Sequence, residues 1–186
     1  MSTQKGLPMD QDLTVWSGDE AELAQWENAK LADLVGYIVT KYHREGSLAM
    51  ARLEAQAAEA ALLEGRTCPE LLVIRDEVER FCTELRAHFR HEEHRIFPAL
   101  LDLAEGRTPS VPAALLDPIR LLQEEHHSAA GLLDRIHDLT QGFQPPEAAR
   151  AVQHRLYQAF QTLAESLYKH IYLENEVLFK RALKQV

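Results

Sequence analysis

Residues 88–97 read HFRHEEHRIF, and residues 170–179 read HIYLENEVLF. Both follow the pattern H-x-x-x-E-x-x-x-x-F. A histidine and a glutamate four apart lie about 40° apart on one face of an α-helix, one turn separated, so both side chains reach one ion. Pairs of this kind are how a helical bundle builds a metal site from inward side chains. With nine histidines in the chain, about one H-x-x-x-E is expected by chance. Here both occurrences sit near the ends of long helical segments and share the phenylalanine. Within HFRHEEHRIF, spacing puts His88 and Glu92 on the ligand face, turns Glu93 and His94 toward solvent or a neighbouring helix, and leaves His91 open, about 60° round from His88.

The helices that carry these motifs are set by where glycine and proline fall. GRTCP (65–69), EGRTPSVP (105–112) and QGFQPP (141–146) interrupt a chain whose Leu, Ile, Ala and Phe otherwise recur at helical spacing, with no β-branched alternation. The class is all-α. Four long segments are expected: from after Trp26 to about Glu64, Glu70 to Ala104, Ala113 to Leu139, and Glu147 to Ala182. Asn28 is the candidate N-cap of the first. Residues 1–27 read as an extension with a capping box at Ser17 to Glu20, and residues 28–186 as the bundle. Long helices with short connections imply an up-down-up-down four-helix bundle. Gly46, inside the first segment, costs about 1 kcal/mol relative to Ala, and a kink is expected there, beside His43.

The first and third segments each offer one histidine inside an apolar stretch, His43 and His126; only one of the neighbours His126 and His127 can face inward. The candidate metal set is then His43, His88, Glu92, His126, His170 and Glu174. Four imidazoles and two carboxylates suit two ions, each with two histidines and both glutamates bridging, and leave an open position for a small diatomic ligand such as O2 or NO. Nitrogen and oxygen donors without thiolate suit iron or manganese, with zinc and copper not excluded.

Composition narrows the alternatives. The chain has 186 residues, 46% of them hydrophobic and 26% charged, with a formal net charge of -9. Without a clustered basic patch, a nucleic-acid partner is not expected. No run of 18 apolar residues and no secretory h-region is present, so the expected location is the cytoplasm, away from membranes. The two cysteines, Cys68 and Cys82, have no metal or redox spacing.

NAKLADLVGYIVTKYH, ELRAHFRHEEHRIFPAL, LLQEEHH, LTQGFQPPEAA and HIYLENEVLFKRAL together resemble the hemerythrin-like (HHE) di-iron proteins of the repair-of-iron-centres family, collinearly over about residues 26–183. The resemblance implies a hemerythrin-like bundle around two iron ions with an oxo or hydroxo bridge. By position it makes His43, His88, His126 and His170 terminal ligands and Glu92 and Glu174 bridging ones. It also implies acids near the ions at Glu84 and Glu125; Glu84 is expected to orient a ligand histidine. The implied role is in nitrosative and oxidative stress, supplying iron to damaged iron-sulfur proteins, binding or reducing nitric oxide, or both, with an external electron donor. The alternative is a hemerythrin-type module that binds or senses O2 or NO, or stores iron, without catalysis. The oxygen carriers have a further histidine one turn beyond His126, where this chain has Ala130.

Three departures stand out. Glu64 replaces a histidine common in the family, and lies three heptads from His43, about 30 Å along a continuous helix. The N-terminal extension lacks the cysteine-bearing domain of many relatives, and Lys180 stands where a proline is commoner.

Overall fold

The computed structural model describes residue 13, residues 20–107 and residues 113–184. Every regular element among them is helical: α1 (Glu20–Asn28), α2 (Leu31–Ile38), α3 (Glu45–Glu64), α4 (Glu70–His91), α5 (Phe97–Ala104), α6 (Ala113–Leu139), α7 (Ala151–Tyr172) and α8 (Lys180–Lys184). Three joints are π-helical turns rather than breaks: Val39–Arg44 between α2 and α3, Glu92–Ile96 between α4 and α5, and Leu173–Phe179 between α7 and α8. Right-handed helical backbone flanks each turn, so each pair forms one continuous helix. The kink expected at Gly46 is such a turn, ending two residues before it.

These long segments pack in a closed ring, α3 against α4 and α7, α4 against α6, and α6 against α7. Short turns make successive segments antiparallel, which gives the up-down-up-down four-helix bundle. In α4 the cause is plain: Leu71, Ile74, Val78, Phe81, Leu85 and His88 recur at spacings of three and four and are all buried. The α3–α4 turn needs Gly65, because a Cβ there would lie 2.4 Å from the Ala61 carbonyl oxygen and 2.8 Å from a Leu72 methyl. At the end of α6, Gln141 (φ 51°) adopts the left-handed conformation, and the Gly142 N–H reaches the His137 carbonyl at 2.8 Å, a Schellman closure.

Two boundaries differ from expectation. Asn28 does not cap a helix start; it is the last residue of α1, and its side-chain amide donates to the Ala24 carbonyl at 3.1 Å. The chain is already helical from Glu20, breaks at 29–30, and resumes at Leu31. The fourth segment starts at Ala151, four residues later than expected, because after Pro145 and Pro146 the chain first makes a turn closed by Ala149 N–H on the Pro146 carbonyl, 2.8 Å. The Ser17 side of the expected capping box lies outside the described residues.

The apolar core is divided. One cluster, around Met50, Ile74, Phe81, Leu133 and Phe160, fills the end nearest the α3–α4 turn. Another, around Leu34, Ile38, Leu100, Leu122 and Phe179, fills the opposite end, where α1 packs. A layer of buried polar side chains lies at the level of the three π turns: His43, His88, Glu92, His126, His170, Glu174 and Asn175. Arg181 pins α1 there by donating to the Trp26 and Ala29 carbonyls. No helix among the described residues is long and apolar enough to cross a membrane.

Candidate metal centre

Each long helix contributes to the polar layer. His43 sits in the first π turn, His88 near the end of α4, Glu92 at the start of the second π turn, His126 in α6, His170 near the end of α7, and Glu174 in the third π turn. All six are buried, Glu92 and Glu174 completely. They form two overlapping groups, His43, Glu92, His170 and Glu174, and His88, Glu92, His126 and Glu174; within each, one donor atom per residue lies within 4.8 Å of every other. Both glutamates belong to both groups. His127 points outward, its Nδ1 2.6 Å from the Gln123 carbonyl.

The atoms that converge are acceptors facing acceptors. His88 Nε2 and His126 Nε2 are 3.0 Å apart, and His43 Nε2 and His170 Nε2 3.2 Å. These separations match neighbouring ligands on one ion at bonds of about 2.1 Å. Both carboxylate oxygens of Glu92 and of Glu174 are buried with no hydrogen-bond partner among the described residues. His170 Nε2 comes within 2.8 Å of Glu174 Oε1 and His126 Nε2 within 3.2 Å of Glu174 Oε2. Buried carboxylates need positive charge beside them, and protons on these imidazoles or cations among them supply it. The donor set is that of a metal site.

The opposite edges of the imidazoles fix their tautomers. His88 Nδ1 meets Glu125 Oε2 at 2.6 Å, His43 Nδ1 meets Glu93 Oε1 at 2.9 Å, and His126 Nδ1 meets Asn175 Oδ1 at 3.1 Å. With Nδ1–H donating outward, Nε2 is left as the lone pair aimed into the layer. Glu93 and Asn175 hold the same place in the two motifs, directly after Glu92 and Glu174, and each serves a histidine on another helix. The shared phenylalanine behaves likewise: Phe97 packs 5.6 Å from the His43 ring and Phe179 6.5 Å from the His126 ring, centroid to centroid. The two motifs are therefore related halves that reach across to the first and third segments.

Burial and charge pull against each other here. Burial disfavours the His88 imidazolium, yet Glu92, Glu174 and Glu125 outweigh it and push its pKa up to about 9. His43 is raised in the same way, against burial, chiefly by Glu174. Burial lowers His170, with Glu174 opposing. For Glu174 burial works upward, but His170, His126 and His43 hold its carboxyl well below the usual range. A cation entering the layer has to displace those protons.

A cleft of about 350 Å3 between α4, α6 and α7 reaches His88, His126 and His170, with Glu84, His91 and Glu125 also on its walls. Its remaining lining, including Phe81, Leu132 and Ile171, is largely apolar.

Of the two places that spacing leaves Glu93, solvent or a neighbouring helix, it takes the neighbouring helix, where it accepts from His43 Nδ1. One expectation needs correction. Glu84 lies on the cleft wall with His88, but it is Glu125 that accepts from His88 Nδ1. Asn175 was not singled out by spacing, although its correspondence with Glu93 in the aligned motifs was the available signal. Glu64, at the end of α3, is buried near Arg150 Nε at 3.8 Å, away from the layer.

The model of the hemerythrin HHE cation binding domain matches residues 34–182, which include all six residues. The iron-sulfur cluster repair protein YtfE of Edwardsiella ictaluri is 34% identical over 163 residues, covering 87% of this chain and 70% of that protein. The protein of the same name from Pectobacterium carotovorum is 29% identical over 186 residues, covering 97% and 80%. That from Yersinia pestis is 30% identical over 161 residues, covering 86% and 69%.

Proposed function

Because the chain belongs to the hemerythrin HHE cation binding domain family, we propose that it is a non-haem di-iron protein which supplies iron for the repair of iron-sulfur clusters under nitrosative and oxidative stress. The observation that carries this is the set of four carboxylate oxygens on Glu92 and Glu174, buried among four histidine Nε2 atoms. His43 and His170 would hold one ion, His88 and His126 the other, and the glutamates would bridge. Iron in such a place supplies Lewis acidity and one-electron redox change toward a small diatomic ligand. The chain's own residues orient the imidazoles, bury the carboxylates, and give access through the cleft. The repair reading draws on the names of relatives that align with most of this chain.

Metal analysis and a visible spectrum of protein purified without added metal test the iron reading. His88→Ala and Glu92→Ala should each lose at least one iron per chain; retention of two by both variants would sink the assignment. Iron transfer to an apo-ferredoxin tests repair.

A second reading, nitric oxide binding and reduction with an external electron donor, is favoured by the cleft at His88 and His126, which has room for such a ligand. Anaerobic NO consumption with a supplied reductant distinguishes it. Reversible oxygen carriage is disfavoured by Ala130, buried in the apolar cluster where the carriers place a histidine.

A further inference from the structure

One imidazole of the layer has neighbours unlike the others. The rings stacked on His43 are Phe89, at 4.2 Å and 3° between planes, and Phe97; the ring stacked on His126 is Phe179. His170 instead stacks on Tyr42, centroids 5.2 Å apart and planes 8° from parallel. Tyr42 meets Tyr37 edge-on at 5.7 Å, and Tyr37 stacks on Trp26 at 4.4 Å. Phenylalanine would pack as well, so hydrophobic burial alone does not select this column. It is an unbroken series of oxidisable rings from a buried ligand histidine to Tyr37, which is half-buried at the surface.

The outer end has a proton acceptor. Tyr37 Oη donates to Glu22 Oε1 at 2.5 Å. Tyrosine loses an electron readily only if its phenolic proton leaves with it, and Glu22 is in place to receive that proton. The π turn also contributes: residues five apart lie about 140° apart on an α-helix, yet Tyr37 and Tyr42 touch, because the turn starting at Val39 draws i and i+5 together.

We infer that the column Tyr42, Tyr37 and Trp26 is a one-electron inlet to the metal layer, and that it gives the protein a further activity: reduction of hydrogen peroxide to water by a chain holding a single ferrous ion. The inference rests on the iron reading above. Donating one iron leaves such a half-filled chain. On its own, one ferrous ion would supply peroxide with a single electron, enough only to split it into hydroxide and a hydroxyl radical. With the column as an inlet, Tyr37 gives the second electron through Tyr42 and His170, and its phenolic proton passes to Glu22. Peroxide takes both electrons and two solvent protons, its O–O bond breaks, and it leaves as two waters; the iron is left ferric and Tyr37 a neutral radical. One equivalent of a one-electron reductant of the ascorbate class then restores Tyr37, with the proton returned by Glu22, and a second equivalent returns the iron to the ferrous state.

The test adds one ferrous ion per chain to metal-free protein under argon, counts singly loaded chains by native mass spectrometry, mixes with equimolar hydrogen peroxide and freezes for EPR. A tyrosyl radical is expected from wild type, and much less from protein loaded with two ferrous ions, which supply both electrons themselves. The Tyr37→Phe/Tyr42→Phe double variant, which keeps both rings, is expected to bind iron, lose the radical and release spin-trappable hydroxyl radical. Iron oxidation without a tyrosyl radical in wild type overturns this proposal alone, as does an unchanged radical in the double variant. Loading only in pairs also overturns it, since its half-filled state would not exist. Protein that binds no iron overturns the iron reading as well.

Discussion

His88 Nε2 and His126 Nε2, from α4 and α6, face each other at 3.0 Å across the middle of the bundle. Two imidazole nitrogens in that relation are both lone pairs only when a cation lies between them; otherwise a proton takes its place. The His43 and His170 pair repeats the relation at 3.2 Å. The metal-free layer is therefore held by protons where the metal-bound layer is held by ions.

Metal uptake should accordingly release protons. His88 keeps its proton up to about pH 9 in the metal-free fold, so apparent metal affinity should rise with pH and level off near 9. The stability sign is the reverse for metal-free protein. A pKa raised from 6.5 to about 9 stabilises the fold fully below 6.5, and that contribution is lost as pH rises through 9. Isothermal titration in buffers of different ionisation enthalpy measures the protons, and urea midpoints measure the stability. Absence of proton release at neutral pH would contradict the arrangement.

Glu125 and Glu84 should behave differently despite both lining the cleft. Glu125→Gln keeps a hydrogen bond to His88 but removes the charge, and a loss of about 10-fold in metal affinity is expected. Glu84→Gln should leave affinity near wild type. Competition against a chelator measures both, and equal losses would show that cleft charge, rather than contact with His88, is what matters.

Glu93 and Asn175 should each matter as acceptors for a histidine on another helix. Glu93→Ala and Asn175→Ala are expected to weaken metal binding about 10- to 100-fold. Asn175→Asp retains an acceptor for His126 Nδ1–H and should bind at least as tightly as wild type. If the two alanine variants bind like wild type, the imidazoles are oriented by packing alone.

The thiols should be quiet in the folded protein. Burial pushes the Cys82 thiol up to about 12, and burial with the Glu70 carboxylate raises Cys68 as well. Iodoacetamide at pH 8 should leave Cys82 unlabelled until the protein unfolds and label Cys68 slowly, as peptide mass spectrometry would report. Rapid labelling of folded Cys82 would mean that the α3–α4 seam opens.

Much of this was legible in residue order. The extents of the second and third segments, 70–104 and 113–139, follow from where Gly and Pro stop the apolar periodicity, and the repeated H-x-x-x-E motif led to six of the seven residues of the polar layer. What escaped had local causes. Asn28 resembles a cap because residue type does not reveal that the preceding residues are already helical. The π turns are invisible to a 3.6-residue period, since each disturbs only one turn. Asn175 escaped because hydrogen-bond acceptors of ligands carry no spacing rule of their own.

Those three turns set the site apart from its scaffold. A π turn accommodates one residue more than the α turn it replaces, so three of the four helices carry a surplus residue at one level, while α6 passes it unaltered. The apolar clusters on either side have no need of the extra residues. Excising one from each of the three turns should restore uniform helical register only by rotating the segments beyond them by about 100°, out of alignment with the other cluster. The metal layer thus works as a register shift between two ends of one bundle, and each end is built for the phase that the layer imposes.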